Sequence, residues 1–133
     1  MSFVNPLPVA VIVLPVDDGV LAIRRGIEPG LGRLALPGGF MDLGETWERA
    51  AARELFEETG IRIAPVGIRH VLTVSPEDGR LLLVFGEAPR VRSSDLAPFV
   101  ATDETTERVV LEQPIELAFP THTEVLAGWF ARR

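Results

Sequence analysis

Several residue types that carry common enzyme chemistry are missing from this 133-residue chain. It has no cysteine, which excludes disulfides, thiolate nucleophiles and metal sites with sulfur ligands. It has no lysine, since all 13 basic residues are arginine, and this excludes a Walker-type lysine and a Schiff base. Its two histidines, His70 and His122, are too few for a histidine-rich zinc site. Phosphate recognition stays available, because arginine binds phosphate through two nitrogens.

The chain also lacks a long apolar run and an excess of positive charge. No apolar stretch approaches the roughly 18 residues that cross a bilayer. The short β-branched run at 9–14 is typical of a buried strand rather than a signal peptide. The net charge of −6 argues against a broad nucleic-acid footprint. We therefore expect a soluble, cytoplasmic protein that binds neither nucleic acid nor membrane, with one domain over residues 1–133.

Apolar patterns and turn signals predict an α/β fold. Residues 8–14 and 20–25 are predicted strands, joined as a hairpin by the turn at 17–19. A short extended piece at 33–36 leads into a glycine turn at 38–39. Further strands are predicted at 62–74, 80–87 and 107–112, and the irregular segment 88–106 is a candidate substrate loop. Strands before, between and after two helices imply an α/β/α sandwich with a mixed β-sheet covered on both faces.

The two predicted helices have recognisable ends. The first runs from about Thr46 to Thr59, with Gly60 as a left-handed C-cap. The second begins after an N-cap at Thr121, with Glu124 three residues later completing a capping box. Its predicted apolar stripe consists of Val125, Leu126, Trp129 and Phe130.

The first helix carries three glutamates on one face. Glu54, Glu57 and Glu58 stand in i, i+3 and i+4 relation, so they share about one quarter of the helix circumference. Arg53 alone cannot balance these charges together with Glu45. A divalent cation can, and an oxygen-only ligand set suits Mg²⁺ or Mn²⁺ rather than zinc. A solvated helix face is the alternative that these residues alone leave open.

The spacing around this helix resembles the Nudix box, G-x5-E-x7-R-E-U-x-E-E-x-G-U, in which U is a bulky aliphatic residue. All nine defined positions are filled, by Gly39, Glu45, Arg53, Glu54, Leu55, Glu57, Glu58, Gly60 and Ile61. The resemblance implies a Nudix fold for essentially the whole chain. It also implies a pyrophosphohydrolase that uses Mg²⁺, with Mn²⁺ as a substitute.

The resemblance assigns roles to individual box residues. In similar proteins Glu54 and Glu58 ligate the metal, Glu57 joins them directly or through a water, and the carbonyl of Gly38 completes the ligand set. Arg53 orients the glutamates, with Glu45 as its partner. The general base stays open between Glu54 and a glutamate on a later loop, for which the candidates are Asp103, Glu104 and Glu107; plain solvation is the alternative for each of these three.

Candidate substrate contacts lie outside the core of the box. Four arginines on neighbouring strands and loops are candidates for phosphate or ribose binding: Arg24, Arg25, Arg33 and Arg69. Phe40 could stack on a base or ribose, and ordinary packing is the alternative. His70 is interpreted as a strand histidine with a local partner, and His122 as serving the start of the last helix.

The substrate class follows from weaker signals. The run that marks NADH pyrophosphatases and the coenzyme A pattern are both absent. Pro76, 15 residues after Ile61, resembles the proline that accompanies ADP-ribose hydrolysis, although the turn at 75–79 explains it equally well. We expect a nucleoside diphosphate linked to another group, such as ADP-ribose or a nucleotide sugar. A non-nucleotide diphosphate and a non-catalytic nucleotide-sensing module are the alternatives. Homodimers are frequent among similar proteins, and the sequence leaves the oligomeric state open.

Overall fold

The computed structural model describes residues 5–133, which form two four-stranded sheets and two α-helices. The strands are β1 (Leu7–Val13), β2 (Pro15–Val16), β3 (Gly19–Arg25), β4 (Leu34–Ala35), β5 (Gly38–Phe40), β6 (Arg69–Val74), β7 (Leu81–Glu87) and β8 (Thr105–Leu111). The helices are α1 (Trp47–Thr59) and α2 (Pro120–Ala131), and short 3-10 turns occupy Pro65–Gly67 and Ser93–Asp95. In this part of the chain neither helix is long and apolar enough to cross a membrane.

The first sheet is mixed and the second is antiparallel. The first has the order β5-β1-β7-β6, in which β1 and β7 are parallel and the other pairs are antiparallel. In the second, β3 pairs with β2, β4 and β8. The predicted α/β class and mixed sheet are confirmed, with the strands divided between two sheets.

Alternating side chains of β1 divide the core between the two helices, because successive residues of a strand point to opposite faces. One buried cluster joins β1 to α1 and includes Ala10, Ile12, Leu14, Ala50, Ala51 and Leu55. The other joins β1 to α2 and includes Val11, Val13, Val125, Leu126 and Trp129. The three small alanines at 50–52 let α1 lie close to the sheet, which brings its glutamates near β5.

The ends of α1 are those predicted. Thr46 is the N-cap, and its Oγ1 accepts a hydrogen bond from the N–H of Arg49 at 3.3 Å. Gly60 is the C-cap, with a φ of 77° in the left-handed region. Arg108 on β8 adds a charged partner at this end, where its Nη1 donates to Thr59 O at 2.9 Å. Both ends of the helix are thereby fixed against the sheets.

The predicted hairpin between residues 8–14 and 20–25 is wrong, because the strand at 20–25 does not pair with β1. The turn at 17–19 connects β3 to the two-residue β2, through the pairs Pro15 with Val20 and Val16 with Gly19. One further bond, from the N–H of Leu21 to Leu14 O at 3.0 Å, ends this short hairpin. Strand β1 instead pairs with β7 over its whole length, and with β5 at Val9, Ala10 and Val11. A strand buried on both faces gains more from two ladder partners within the core than from a local hairpin, and β1 has such neighbours in β5 and β7.

The predicted glycine turn at 38–39 is wrong, because both glycines belong to strand β5. Gly38 pairs with Val11 of β1 and Gly39 with Ala10 of β1, and neither glycine has a positive φ. A Cβ on Gly38 would come 2.5 Å from the carbonyl oxygen of Ala10. Glycine is required here for close approach between backbones rather than for a turn.

The predicted capping box at Thr121 is wrong as well. Helix α2 begins two residues earlier than predicted, at Pro120, with Phe119 as an N-cap that makes no side-chain bond. Proline is favoured at the first helical position because its φ is already helical and its missing N–H costs nothing there. Thr123, in the first turn, bonds the segment before the helix, since its Oγ1 accepts from the N–H of Leu117 at 2.9 Å. The predicted apolar stripe of α2 is confirmed, with Phe130 at its half-buried edge.

Candidate active site

Strand β5 presents backbone groups to the glutamates of α1. The N–H of Ile12 donates to Pro37 O at 2.9 Å, so in the alternating antiparallel pattern the next residue, Gly38, turns its N–H and C=O away from β1. That N–H donates to Glu58 Oε1 at 2.8 Å. The carbonyl of Gly38 therefore faces the same side as the carboxylate of Glu58.

The second glycine of β5 makes room for Glu54. A Cβ on Gly39 would come 2.4 Å from the carboxylate carbon of Glu54. The side chain of Glu54 is only 15% exposed. The pair Gly38-Gly39 thus brings two carboxylates of α1 against the bare backbone of β5.

The guanidinium of Arg53 lies at the centre of an acidic network. It binds Glu45 through two nitrogens, with Nε to Oε2 at 2.7 Å and Nη2 to Oε1 at 2.8 Å. Its Nη1 donates to Glu54 Oε1 at 2.8 Å and to Glu57 at 3.3 Å. Its Nη2 also donates to the carbonyl oxygen of Phe40 at 3.0 Å. Arg53 therefore orients the box carboxylates and connects α1 to the end of β5.

The network keeps the side chains of Arg53 and Glu45 ionised. Hydrogen bonds from Arg53 lower the pKa of Glu45 to about 2. The same bonds raise the pKa of Arg53 above its ordinary value. Such a bidentate pair has a defined geometry as well as a favourable energy, which suits a residue that orients others.

Glu54 and Glu58 have the opposite electrostatic character. Burial raises the pKa of Glu58 to about 8, with the neighbouring Glu54 and Glu104 adding to the effect, and the Gly38 hydrogen bond and Arg25 opposing it. Burial also raises the pKa of Glu54 despite its bond to Arg53. The negative charge of both side chains is therefore incompletely compensated by the protein.

This donor set fits a divalent cation chemically. The carboxylates of Glu54 and Glu58 and the carbonyl of Gly38 are hard oxygen donors on one side of β5, and their charge lacks a sufficient protein partner. Glu57 is exposed and bound to Arg53 on the adjacent turn. Within residues 5–133, no three acidic or histidine side chains already converge on one point. A cation that used all three glutamates would therefore draw Glu57 or Glu54 away from Arg53.

The predicted substrate and base residues fall into two groups. Arg25 and Glu104 lie close enough to Glu58 to affect its pKa. The backbone of their loops is joined, since the N–H of Gly26 donates to Glu104 O at 2.8 Å. Phe40 is 57% exposed beside the Arg53 network.

Other predicted residues are bound elsewhere. Arg24 pairs with Glu107 at 2.8 Å, so these two candidates neutralise each other on neighbouring strands. Arg33 binds Glu116 at 3.2 Å. Asp103 is exposed on the loop before β8, next to Gly26. Four candidates therefore lie outside the carboxylate cluster or already have a partner.

Arg69 lies at a different position again. It pairs with Glu87 at 3.4 Å, where Arg132 and Arg133 after α2 also approach the same carboxylate. Arg69 is on β6, and β6 and β5 are the two opposite edges of the first sheet, separated by β1 and β7. The structure therefore does not bring Arg69 together with the box glutamates.

Two further residues, which were not predicted at the site, contact it or the chain that leads into it. Asp42 lies 3.5 Å from Arg53 and donates its backbone N–H to Glu45 at 2.8 Å, closing the loop between β5 and α1. His122 is buried and accepts a hydrogen bond from the N–H of Leu36 at 3.1 Å. Asp42 falls at an undefined box position, and the partner of His122 is 86 residues away, so no local signal identified either. His70, in contrast, bonds Thr73 at 2.7 Å within its own strand, as interpreted from the sequence.

The family model of the NUDIX domain matches residues 6–127. The chain belongs to the NUDIX family. The predicted Nudix hydrolase family is therefore confirmed. A NUDIX hydrolase from Nitrosomonas europaea superposes with a TM-score of 0.84 at 26% identity, covering 99% of this chain and 74% of that one.

Two NUDIX relatives are similar in sequence. A MutT-like protein from Streptomyces ambofaciens is 35% identical over 119 residues, which make up 85% of this chain and 75% of that protein. An ADP-ribose pyrophosphatase from Methanocaldococcus jannaschii is 47% identical over 49 residues. The second match covers 37% of this chain and 29% of the archaeal protein, so it relates only a part of each.

Proposed function

We propose that this protein hydrolyses the pyrophosphate bond of a nucleoside diphosphate linked to another group, with Mg²⁺ as its metal and Mn²⁺ as a substitute. The observation that carries the proposal is the meeting of two partly buried, undercompensated carboxylates, Glu54 and Glu58, with the bare backbone of Gly38 and Gly39. Such a site attracts a cation, and a cation in turn attracts a diphosphate. The class of reaction is the one that the Nudix box implies.

The residues of the site have distinct proposed roles. Glu54, Glu57, Glu58 and the carbonyl of Gly38 would bind the metal. When bound, a divalent cation neutralises phosphate oxygens and so lowers the barrier to attack by water. Arg53 orients Glu54 and Glu57 through the bonds of its Nη1 and is itself fixed by Glu45.

The base that activates water has two candidates near Glu58. Burial raises the pKa of Glu54, which makes its carboxylate a stronger proton acceptor than an exposed glutamate. Glu104 lies on the loop before β8 and acts on Glu58 electrostatically. Glu104→Gln separates the two: if Glu104 is the base, kcat falls by about 100-fold or more, and if Glu54 is the base, kcat changes by only a few-fold.

An ADP-ribose-like compound or a nucleotide sugar is the proposed substrate. The archaeal relative named as an ADP-ribose pyrophosphatase supports this class over the part of the chain that it matches. Phe40 is an exposed aromatic ring at the edge of the site and offers a stacking surface for a base or ribose. Arg25, near Glu58, is the arginine best placed for a substrate phosphate.

A substrate panel tests the proposal. Purified protein is incubated with ADP-ribose, a nucleotide sugar, NADH, nucleoside triphosphates and an isoprenoid diphosphate, with Mg²⁺, Mn²⁺ or EDTA, and products are identified by mass spectrometry. We expect metal-dependent cleavage of ADP-ribose or the nucleotide sugar in preference to the triphosphates. Preferential cleavage of the isoprenoid diphosphate would replace the nucleotide substrate with a non-nucleotide one.

One feature of the site favours a second candidate, a nucleotide-binding module without turnover. Arg53 already binds Glu54 and Glu57, and the described residues show no converged ligand triad. If the panel shows binding of ADP-ribose by calorimetry with no cleavage at any metal concentration, this second function replaces hydrolysis.

A further inference from the structure

We propose that His122 is a positioning residue that fixes the Gly38 amide against Glu58 by binding the backbone of Leu36. The proposal rests on the proposed function, because that function gives Glu58 its role. The contact connects α2 to the segment between β4 and β5, which leads into Gly38.

The contact between His122 and Leu36 is buried on both sides. The N–H of Leu36 donates to Nδ1 of His122 at 3.1 Å, and the two residues are 2% and 6% exposed. Leu36 lies between β4 and β5, and its N–H takes no part in the pairing of either strand. A buried backbone N–H without a partner is costly, so His122 supplies an acceptor that this turn needs.

Aromatic neighbours fix the ring of His122 in place. Phe85 lies edge-on at 5.5 Å between ring centroids, and Phe119 at 5.0 Å. Burial lowers the pKa of His122 to about 3, and Arg25 adds to the effect. The ring is therefore neutral at physiological pH and keeps a lone pair on Nδ1 for Leu36.

Three consecutive residues carry this constraint into the site. The N–H of Leu36 is bound by α2 through His122, the carbonyl of Pro37 by β1 through Ile12 at 2.9 Å, and the N–H of Gly38 by α1 through Glu58 at 2.8 Å. Proline has a fixed φ, so the path from Leu36 to Gly38 has little freedom. Release of Leu36 is expected to loosen the Gly38 amide and with it Glu58.

Two substitutions at His122, one that keeps the acceptor and one that keeps the volume, separate positioning from packing. His122→Asn retains an acceptor, because Oδ1 of asparagine takes nearly the place of Nδ1 of histidine. His122→Leu has about the same volume and no acceptor. A packing role favours leucine, which is apolar in an apolar cluster, whereas a positioning role favours asparagine.

The matched control is Thr123→Val, on the same turn of α2. Its Oγ1 accepts from the N–H of Leu117 at 2.9 Å, which is also a bond from a side chain of α2 to a loop backbone. Leu117 lies on the segment before α2 rather than on the path to Gly38. The change removes a bond of the same kind and leaves the His122 contact intact.

Amide hydrogen exchange followed by NMR is the first readout, since it needs no substrate. We expect the Gly38 amide to exchange about tenfold faster or more in His122→Leu than in His122→Asn, relative to amides of β8. Thr123→Val should leave Gly38 unchanged relative to β8. Equal Gly38 protection in the asparagine and leucine variants would overturn the proposal, even if both are less stable than the wild type.

Kinetics on the cleaved compound supply the second readout. We expect kcat of His122→Leu to fall about tenfold below that of His122→Asn with a smaller change in KM, because Glu58 acts in the reaction rather than in general binding. If Gly38 exchanges faster in His122→Leu but the wild type cleaves nothing, the proposed function is wrong and the positioning role of His122 stands. If the wild type is active but Gly38 exchanges equally in both variants, the positioning role is wrong and the proposed function stands.

Discussion

Gly39 lies directly against the carboxylate of Glu54, so closely that a Cβ on Gly39 would come 2.4 Å from the carboxylate carbon. The atoms in the way belong to the end of a flexible side chain. A larger residue at position 39 can therefore be accepted by the fold if Glu54 moves. The glycine is thus a requirement of the site more than of stability.

Gly39→Ala should separate activity from stability. We expect kcat/KM to fall about 100-fold, because Glu54 is displaced from its place beside β5, a small misplacement being enough for such a loss. The midpoint of thermal unfolding should fall by only a few degrees. Steady-state kinetics and calorimetry on the same sample check both.

Gly128→Ala is the control for that substitution. Gly128 lies in α2, and a Cβ there would meet only the end of the Arg132 side chain at 3.4 Å. We expect unchanged activity and a gain of about 0.5–1 kcal/mol in the free energy of unfolding, since alanine is favoured over glycine in a helix. Full activity in Gly39→Ala would show that the position of Glu54 is unimportant.

The Arg53–Glu45 pair should be strongly coupled in activity. A double-mutant cycle with Arg53→Lys and Glu45→Gln removes the bidentate bond from either side, while lysine keeps the charge. We expect each single change to lower kcat more than tenfold. The double change should lower kcat by much less than the product of the two single fold-losses, because both remove the same bond.

The exposed pair Arg24 and Glu107 provides the comparison for this cycle. It has a similar distance of 2.8 Å, but both side chains are more than 40% exposed. Its coupling in the free energy of unfolding should be at most about 1 kcal/mol, as for other surface ion pairs. Independent effects of Arg53→Lys and Glu45→Gln on kcat would contradict the orienting role of Arg53.

The buried carboxylate of Glu58 predicts a stability profile in the metal-free protein. Its pKa in the folded state is about 8, above the ordinary value of 4.5. The folded state therefore binds more protons than the unfolded state between these values, and stability falls as pH rises from 4.5 to 8. A cation that binds the charged carboxylate should restore it.

Thermal unfolding with and without Mg²⁺ measures that effect. We expect the increase in unfolding temperature on adding Mg²⁺ to be larger at pH 8 than at pH 5 and to be mostly lost in Glu58→Gln. Glu48→Gln, in the first turn of the same helix, should behave as the wild type. An increase of equal size in Glu58→Gln would place the metal elsewhere.

His122 predicts an opposite profile at acid pH. Burial lowers its pKa from 6.5 to about 3, so the unfolded state binds more protons than the folded state between these values. Stability is therefore lost as pH falls from 6.5 towards 3. In His122→Asn we expect a flatter profile over this window in urea unfolding measured at several pH values. An unchanged slope would mean that His122 is charged in the folded protein.

Features that depend on neighbours in the sequence were predictable, and features that depend on distant partners were not. The bounds of α1 follow from Thr46 and Gly60, whose capping bonds lie within four residues. The capping box at Thr121 failed because Pro120 occupies the first helical position. The glycines at 38–39 were predicted as a turn because their partners on β1 are far away in the chain.

The candidate site shows the same division. The box spacing identified Arg53 and the glutamates of one helix face, since a helix fixes the relation of residues three and four apart. The spacing could not show that Arg53 donates hydrogen bonds to Glu54 and Glu57. Nor could it show that Arg69 pairs with Glu87, on the side of the first sheet away from β5. The link from His122 to Leu36 joins residues 86 apart, and only tertiary structure reveals it.

The most direct measurement is hydrolysis in ¹⁸O water with Mg²⁺, comparing the wild type, Glu58→Gln and Glu48→Gln by mass spectrometry. We expect the wild type and Glu48→Gln to cleave ADP-ribose or a nucleotide sugar, with the label on one phosphate product that names the phosphorus attacked. Glu58→Gln should lose at least about 1000-fold in kcat, as for removal of a charged group that acts in the transition state. Cleavage by Glu58→Gln at the wild-type rate would contradict a catalytic centre at Gly38, Glu54 and Glu58.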